Sequence, residues 1–286
     1  MTSAFDAWRE QIEAHERDAA AFGGGHGHGH GHSQGQGHRA FRRANRALDP
    51  WRTDDPVLNG LYALLGADAD VLDIGGGAGR YALPLATRAR HVTVVEPSAD
   101  SVEMLTSRAA EAGLANVTAI NEAWEDAEAP AADVVLCSLV LHHVPDAVPF
   151  VTKMQEYAKD RVVLVEMMET PGALEIPFFE RVYGSAPTPL PGLPSVLDLL
   201  WAMDIFPDVT MVSADAAVLE TDRDAALEQL RGRLSVREGT EADTRLLAAA
   251  EELLEETPNG LVVRGVAPQR QAIVTWRPGR AGPAST

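Results

Sequence analysis

Residues 71–79 read Val71-Leu72-Asp73-Ile74-Gly75-Gly76-Gly77-Ala78-Gly79, and residues 91–96 read His91-Val92-Thr93-Val94-Val95-Glu96. Val71–Ile74 is a short β-branched and aliphatic run, the pattern of a buried parallel strand. The glycines after it make a turn without Cβ atoms, so a ligand can lie against bare backbone. Residues 78–88 predict a helix whose start would favour a negative group. Glu96 stands 17 residues beyond Gly79 and closes the second apolar run. A carboxylate at that strand end can accept both hydroxyls of a ribose.

The glycine spacing separates two cofactor classes. Nicotinamide and flavin sites use G-x-G-x-x-G, with the third glycine serving close helix–strand packing. Here Gly75, Gly77 and Gly79 give G-x-G-x-G, preceded two residues earlier by Asp73. This D-x-G-x-G-x-G pattern resembles the nucleoside-binding motif of class I S-adenosylmethionine-dependent methyltransferases. That cofactor carries a ribose and a cationic sulfonium and no pyrophosphate, so an acidic residue beside the glycine loop is compatible with it.

Later landmarks extend the resemblance over roughly residues 55–170. Asn116–Ile120 reads as a third strand, followed by Asn121-Glu122-Ala123-Trp124. The resemblance places Glu122 near the adenine amino group. Trp124 suits either stacking on the base or packing in the core. Asp133–Ser138 reads as a fourth strand and runs into Leu139-Val140-Leu141-His142-His143-Val144-Pro145, which resembles the segment passing under the methionine part of the cofactor. Arg161–Met167 reads as a fifth strand. The resemblance thus implies cofactor contacts from Asp73, Gly75, Gly76, Gly77, Gly79, Glu96, Pro97, Glu122, Ala123, Ser138 and Leu139. It implies an α/β fold: a doubly wound, Rossmann-like, mostly parallel seven-stranded sheet with an antiparallel last strand. N-terminal helices and a helical insertion after the fifth strand complete it.

The chain has 286 residues, enough for one large α/β core with an appendage. Its formal net charge of −18 argues against a nucleic-acid substrate and an anionic membrane surface. Cys137 is the sole cysteine, so no intrachain disulfide forms; its apolar surroundings in sequence suggest an inert buried thiol. No apolar run reaches membrane-spanning length, and the N-terminus does not resemble a signal peptide. A soluble, cytoplasmic protein is the expectation. Nothing in the sequence fixes the oligomeric state.

The order along the chain follows from composition and periodicity. Residues 1–22 hold an amphipathic helix, with Ser3 and Asp6 as a capping-box-like start and Phe5, Trp8 and Ile12 on one face. Residues 23–38, rich in Gly and His, read as a flexible linker that offers no apolar area to bury. His26, His28, His30, His32 and His38 are nickel, zinc or copper ligands on a chain without fixed geometry, so adventitious metal binding is expected there and no catalytic metal.

Residues 39–170 are assigned to the cofactor-binding core and its helical lead-in. In that lead-in Arg39, Arg42, Arg43 and Arg46 share one helical stripe, either a solvated face or a clamp for an anionic substrate group. Another helix is expected from Asp55 and Pro56 to Gly66. Residues 171–207 hold seven prolines and two short apolar helical runs, and read as a cover over the substrate. Phe178, Phe179, Tyr183, Leu199, Trp201, Met203 and Phe206 are the aromatic and apolar residues available to line it, or to pack it on the core. Residues 208–278 are expected to complete the core, and 279–286 to be a disordered tail.

The function implied is methyl transfer from S-adenosylmethionine to an oxygen, nitrogen or carbon atom of a small molecule. The alternative is a non-catalytic S-adenosylmethionine-binding or metal-handling protein. A general base is needed only for a protonated, weakly acidic acceptor. His142 and His143, after the fourth strand, are the candidates; Glu166 and Glu169 come next.

Overall fold

The computed structural model describes residues 3–22, 49–170, 172–212 and 218–279. The Gly/His-rich linker, the arginine stripe and all of the expected tail beyond Gly279 lie outside them. In chain order the elements are α1 (Ala4–Ala21), α2 (Pro56–Leu64), β1 (Asp70–Ile74), α3 (Ala82–Ala86), β2 (His91–Val95) and α4 (Ala99–Glu111). Then follow β3 (Val117–Ile120), β4 (Ala132–Ser138), a 3-10 turn (Leu141–His143), α5 (Ala147–Tyr157), β5 (Ala158–Met167), α6 (Ile176–Tyr183) and α7 (Leu193–Ala202). The last are β6 (Asp208–Val212), β7 (Val218–Glu220), α8 (Arg223–Leu234), α9 (Glu241–Leu253), β8 (Leu254–Thr257), β9 (Gly260–Val263) and β10 (Gln271–Trp276).

The chain folds as two compact units. The larger takes residues 49–166, 200–212 and 272–279 of the described chain. It holds a seven-stranded sheet ordered β3-β2-β1-β4-β5-β10-β6. The pairs β1–β2, β1–β4, β2–β3 and β4–β5 are parallel. β10 runs against β5: Met168 N–H donates to Arg270 O, while Thr275 Oγ1 donates to Val162 O, so one strand climbs as the other descends. The order reverses beside β1, which is where an open α/β sheet opens its ligand crevice.

The central strands read as near-continuous apolar runs because both faces are covered. On one face Val71, Val92, Val94, Val134, Leu136, Val163 and Val165 join Leu58 and Leu61 of α2, Leu83 and Leu85 of α3 and Leu105 of α4. The alternating residues Leu72, Ile74, Val95, Val135, Cys137 and Leu164 are equally buried on the other side of the pleat. Helix α5 buries Phe150, Val151 and Met154. α2 starts as expected: the Asp55 carboxylate accepts the Leu58 N–H at 3.1 Å, and Pro56 opens the first turn. Arg52 holds that same carboxylate at 3.0 Å.

The helix expected over 78–88 is shorter. Only Ala82–Ala86 is helical, because Gly77 and Gly79 take positive φ (55° and 91°) and keep residues 77–81 in turns. With five helical residues it offers no developed N-terminal anion site.

The smaller unit combines α1 with 167–199 and 218–271 of the described chain. Here the expectation that 208–278 completes the core needs correction. Only β6 and β10 join the large sheet; β7, β9 and β8 form a separate three-stranded antiparallel sheet. Helix α9 ends at Leu253 and a hairpin follows at once, in which Leu254–Thr257 pairs with Gly260–Val263. Leu219, Leu227, Leu230, Leu246, Leu253 and Leu261 close a core around Phe178. α1 buries Trp8 and Ile12, while Phe5, on the same stripe, stays more than a third exposed (37%).

Candidate functional site

The crevice at the carboxyl ends of β1 and β2 is built around Glu96. Its carboxylate accepts the Gly77 N–H at 2.9 Å through Oε2 and the Ser98 N–H at 2.9 Å through Oε1. Its own N–H donates to Ile120 O at 3.0 Å, which ties the β2 end to β3. The side chain is only 1% exposed. Two backbone donors hold it, so its place is fixed before any ligand arrives.

The glycines divide the work. A Cβ at Gly75 would lie 2.6 Å from Val140 Cγ2, one at Gly76 2.6 Å from Asp73 Oδ2, and one at Gly79 2.5 Å from Leu105 Cδ1. These three sit against other protein atoms. At Gly77 no atom of the described residues lies within 4 Å of that position, and its φ is +55°. The loop therefore presents one bare, open stretch of backbone directly beside the Glu96 carboxylate. A ribose suits that pairing: hydroxyl donors for the carboxylate and a flat approach to Gly77.

Asp73 lies beneath the loop, 2% exposed. Burial pushes its carboxyl up to about 7, and the Glu96 charge adds to the effect.

The remaining sequence candidates fall around this centre. Pro97 is exposed, and its carbonyl accepts from Asn121 Nδ2 at 3.0 Å. Glu122 is exposed and Ala123 half-buried, just past the β3 end. Ser138 is the last residue of β4, and Leu139 follows it at φ +56°. That conformation strains a leucine. Its N–H is held by Val165 O at 3.0 Å. His142 is buried and His143 half-buried, with ring centroids 4.3 Å apart. Glu166, from the end of β5, sits with Oε2 3.7 Å from His142 Nδ1. Glu169 is held by Arg270 at 2.7 Å, in the smaller unit.

Trp124 packs in the core. It is 3% exposed, its Nε1 donates to Phe150 O at 3.3 Å, and Lys153 Nζ sits 4.6 Å over the ring. Cys137 is buried, and burial pushes its thiol well above the ordinary range. Of the aromatic residues expected to line a substrate pocket, Phe178 is fully buried in the smaller unit's core, and Tyr183 donates to Leu234 O at 2.8 Å. Trp201 and Phe206 are exposed instead.

Two residues not singled out in the sequence matter here. Asn121 donates to Glu96 O at 2.9 Å and to Pro97 O, locking the β2 and β3 ends together. An asparagine at a strand end is a signal for such backbone bonding. Val140 closes over Gly75, which no local pattern announces.

A family model described as a methyltransferase domain matches residues 71–161. Among solved structures, the YcgJ protein of Bacillus subtilis is 18% identical, covering 76% of this chain and 95% of that one at a TM-score of 0.50. The methyltransferase candidate BH2331 of Bacillus halodurans is 15% identical, covering 78% and 97% at a TM-score of 0.53. Magnesium protoporphyrin IX methyltransferase of Synechocystis, with S-adenosylhomocysteine bound, is 19% identical over 62% and 89%, at a TM-score of 0.48. A comparison with curated proteins found no match. Residues 71–161 thus match a methyltransferase domain, over the stretch that carries β1, β2, β3 and β4 of the large sheet.

Proposed function

We propose that the protein transfers a methyl group from S-adenosylmethionine to a small-molecule acceptor. The observation that carries the reading is the clasp of Glu96 on Gly77, with open space over that glycine. When bound, the cofactor supplies an electrophilic methyl group already activated by its sulfonium. Glu96 receives the ribose hydroxyls. Gly75, Gly76, Gly77 and Gly79 shape the loop under the nucleoside, with Asp73 below it. Pro97, Glu122 and Ala123 border the base, and Ser138 and Leu139 the methionine part.

The chain's remaining tasks are to align the acceptor and to exclude water. His142 and His143 follow β4 and are the residues proposed to take a proton where the acceptor has one to lose. A strongly acidic chain is a poor partner for nucleic acid, which favours a small acceptor. Among the described residues no helix is long and apolar enough to cross a membrane. A cytoplasmic location is the reading that the single cysteine favours. Any nickel, zinc or copper bound by the linker histidines is adventitious.

Calorimetry with S-adenosylmethionine, S-adenosylhomocysteine and NAD tests the proposal. The first two are expected to bind and NAD is not; preferential binding of NAD would sink it.

A further inference from the structure

At the carboxyl ends of β4 and β5 two ionisable side chains are sealed together. His142 is 3% exposed and Glu166 1%. His142 Nδ1 faces Glu166 Oε2 at 3.7 Å, an ion-pair separation longer than a hydrogen bond. Among the described residues neither His142 Nδ1 nor Glu166 Oε1 has a hydrogen-bond partner. Buried polar atoms left so are costly, and proteins keep them mainly where they serve a purpose.

The surroundings narrow that purpose. Burial raises the Glu166 carboxyl above its ordinary value, and His142 is the neighbour that favours the charged form. Among the described residues no Lys or Arg charge acts on Glu166. Cys137 on β4 feels the charges of Glu166 and of Asp73 on β1, and the His143 ring adjoins His142. The preceding Leu139, strained at φ +56°, sets the path of the chain into the turn that carries both histidines.

We propose that Glu166 is a positioning residue for His142: it holds the Nδ1 edge of the imidazole and its proton, so that the lone pair on Nε2 faces the acceptor. This rests on the methyl-transfer reading above. The acceptor's X–H bond breaks and its proton passes to Nε2. The pair left on X forms the bond to the methyl carbon, and the pair of the broken carbon–sulfur bond stays on sulfur. The Glu166 carboxylate offsets the imidazolium charge until Nε2 returns its proton to water. The site then suits acceptors with a weakly acidic hydroxyl or a protonated amine. Thiolates and sulfides need no such base.

The test is 15N NMR of ring-labelled histidine in the full chain at mildly alkaline pH, with S-adenosylhomocysteine calorimetry on the same samples. The wild type is expected to hold His142 as the neutral Nδ1–H tautomer, and Glu166→Met to revert to Nε2–H, the form free histidine prefers. An Nε2–H tautomer in the wild type, or no change in the variant, overturns the proposal.

Should Glu166→Met fail to fold, 13C NMR of the Glu166 carboxyl in His142→Gln decides instead. Its protonation is expected to move to higher pH once the favouring neighbour is gone; an unmoved titration overturns the pairing. Failure of the wild type to bind S-adenosylhomocysteine would refute the methyl-transfer reading, a result separate from the tautomer.

Discussion

Glu96 and Gly77 are bound across the crevice, carboxylate to backbone N–H at 2.9 Å, although 19 residues separate them. The bond fixes the glycine loop against the end of the neighbouring strand. The other carboxylate oxygen accepts the Ser98 N–H at 2.9 Å, so both oxygens are held by backbone. One residue therefore ties the glycine loop to the β2 end, and it is the residue proposed to receive the ribose hydroxyls.

Glu96→Ala should weaken binding of S-adenosylhomocysteine. Loss of a charged hydrogen-bond acceptor costs about 1.5–3 kcal/mol, or roughly ten- to a hundredfold in affinity. Titration calorimetry reads it, and unchanged affinity would exclude the ribose role.

Alanine at two of the glycines should separate ligand space from packing. At Gly77 the new Cβ meets no described residue, so the strain is that of a positive φ, about 1–2 kcal/mol, and the methyl group is expected to intrude on the proposed cofactor site. At Gly79 it lies 2.5 Å from Leu105 Cδ1 and 2.8 Å from Leu83 Cγ, inside the core. Gly77→Ala is expected to lose cofactor affinity with a modest fall in melting temperature; Gly79→Ala should lose mainly stability. Equal effects on both quantities in both variants would contradict the division.

Asp73 predicts a pH dependence of stability. Its carboxyl titrates near about 7 in the fold against 3.8 when free, because burial disfavours its charge. Between those values the folded state binds the extra proton, so this group's contribution falls as pH rises through that window. Asp73→Asn should flatten the stability profile from about pH 4 to 7. Denaturant melts across the range check this, and an unaltered slope would refute it.

Trp124→Ala should cost about 3–5 kcal/mol of stability, as for other buried aromatic truncations. Cofactor affinity in the folded variant should stay the same, since the indole is enclosed by Phe150, Tyr157 and Lys153. A selective loss of affinity would restore the stacking role.

Phe178→Ala should likewise act through stability. The ring is fully buried beside Val182, Leu230 and Leu246 in the smaller unit. Proteolytic susceptibility of residues 167–199 and 218–271 is the readout, and a stable variant would contradict the packing.

The sequence by itself determined the large sheet and the centre of its crevice. Val71–Ile74, the four glycines and Glu96 lie within 26 residues, so local pattern and spacing carry them: period, turn chemistry and a carboxylate at a strand end. Tertiary structure alone decided the rest. Whether Trp124 met a base or the core depended on Phe150 and Lys153, residues more than 25 positions away. Residues 218–266 left the large sheet because their apolar faces close on α6 and on a small sheet of their own, a partnership no window of sequence contains. The Glu166–His142 pair arises the same way. A parallel sheet sets the ends of distant strands side by side, and only that register puts a carboxylate from β5 against an imidazole following β4.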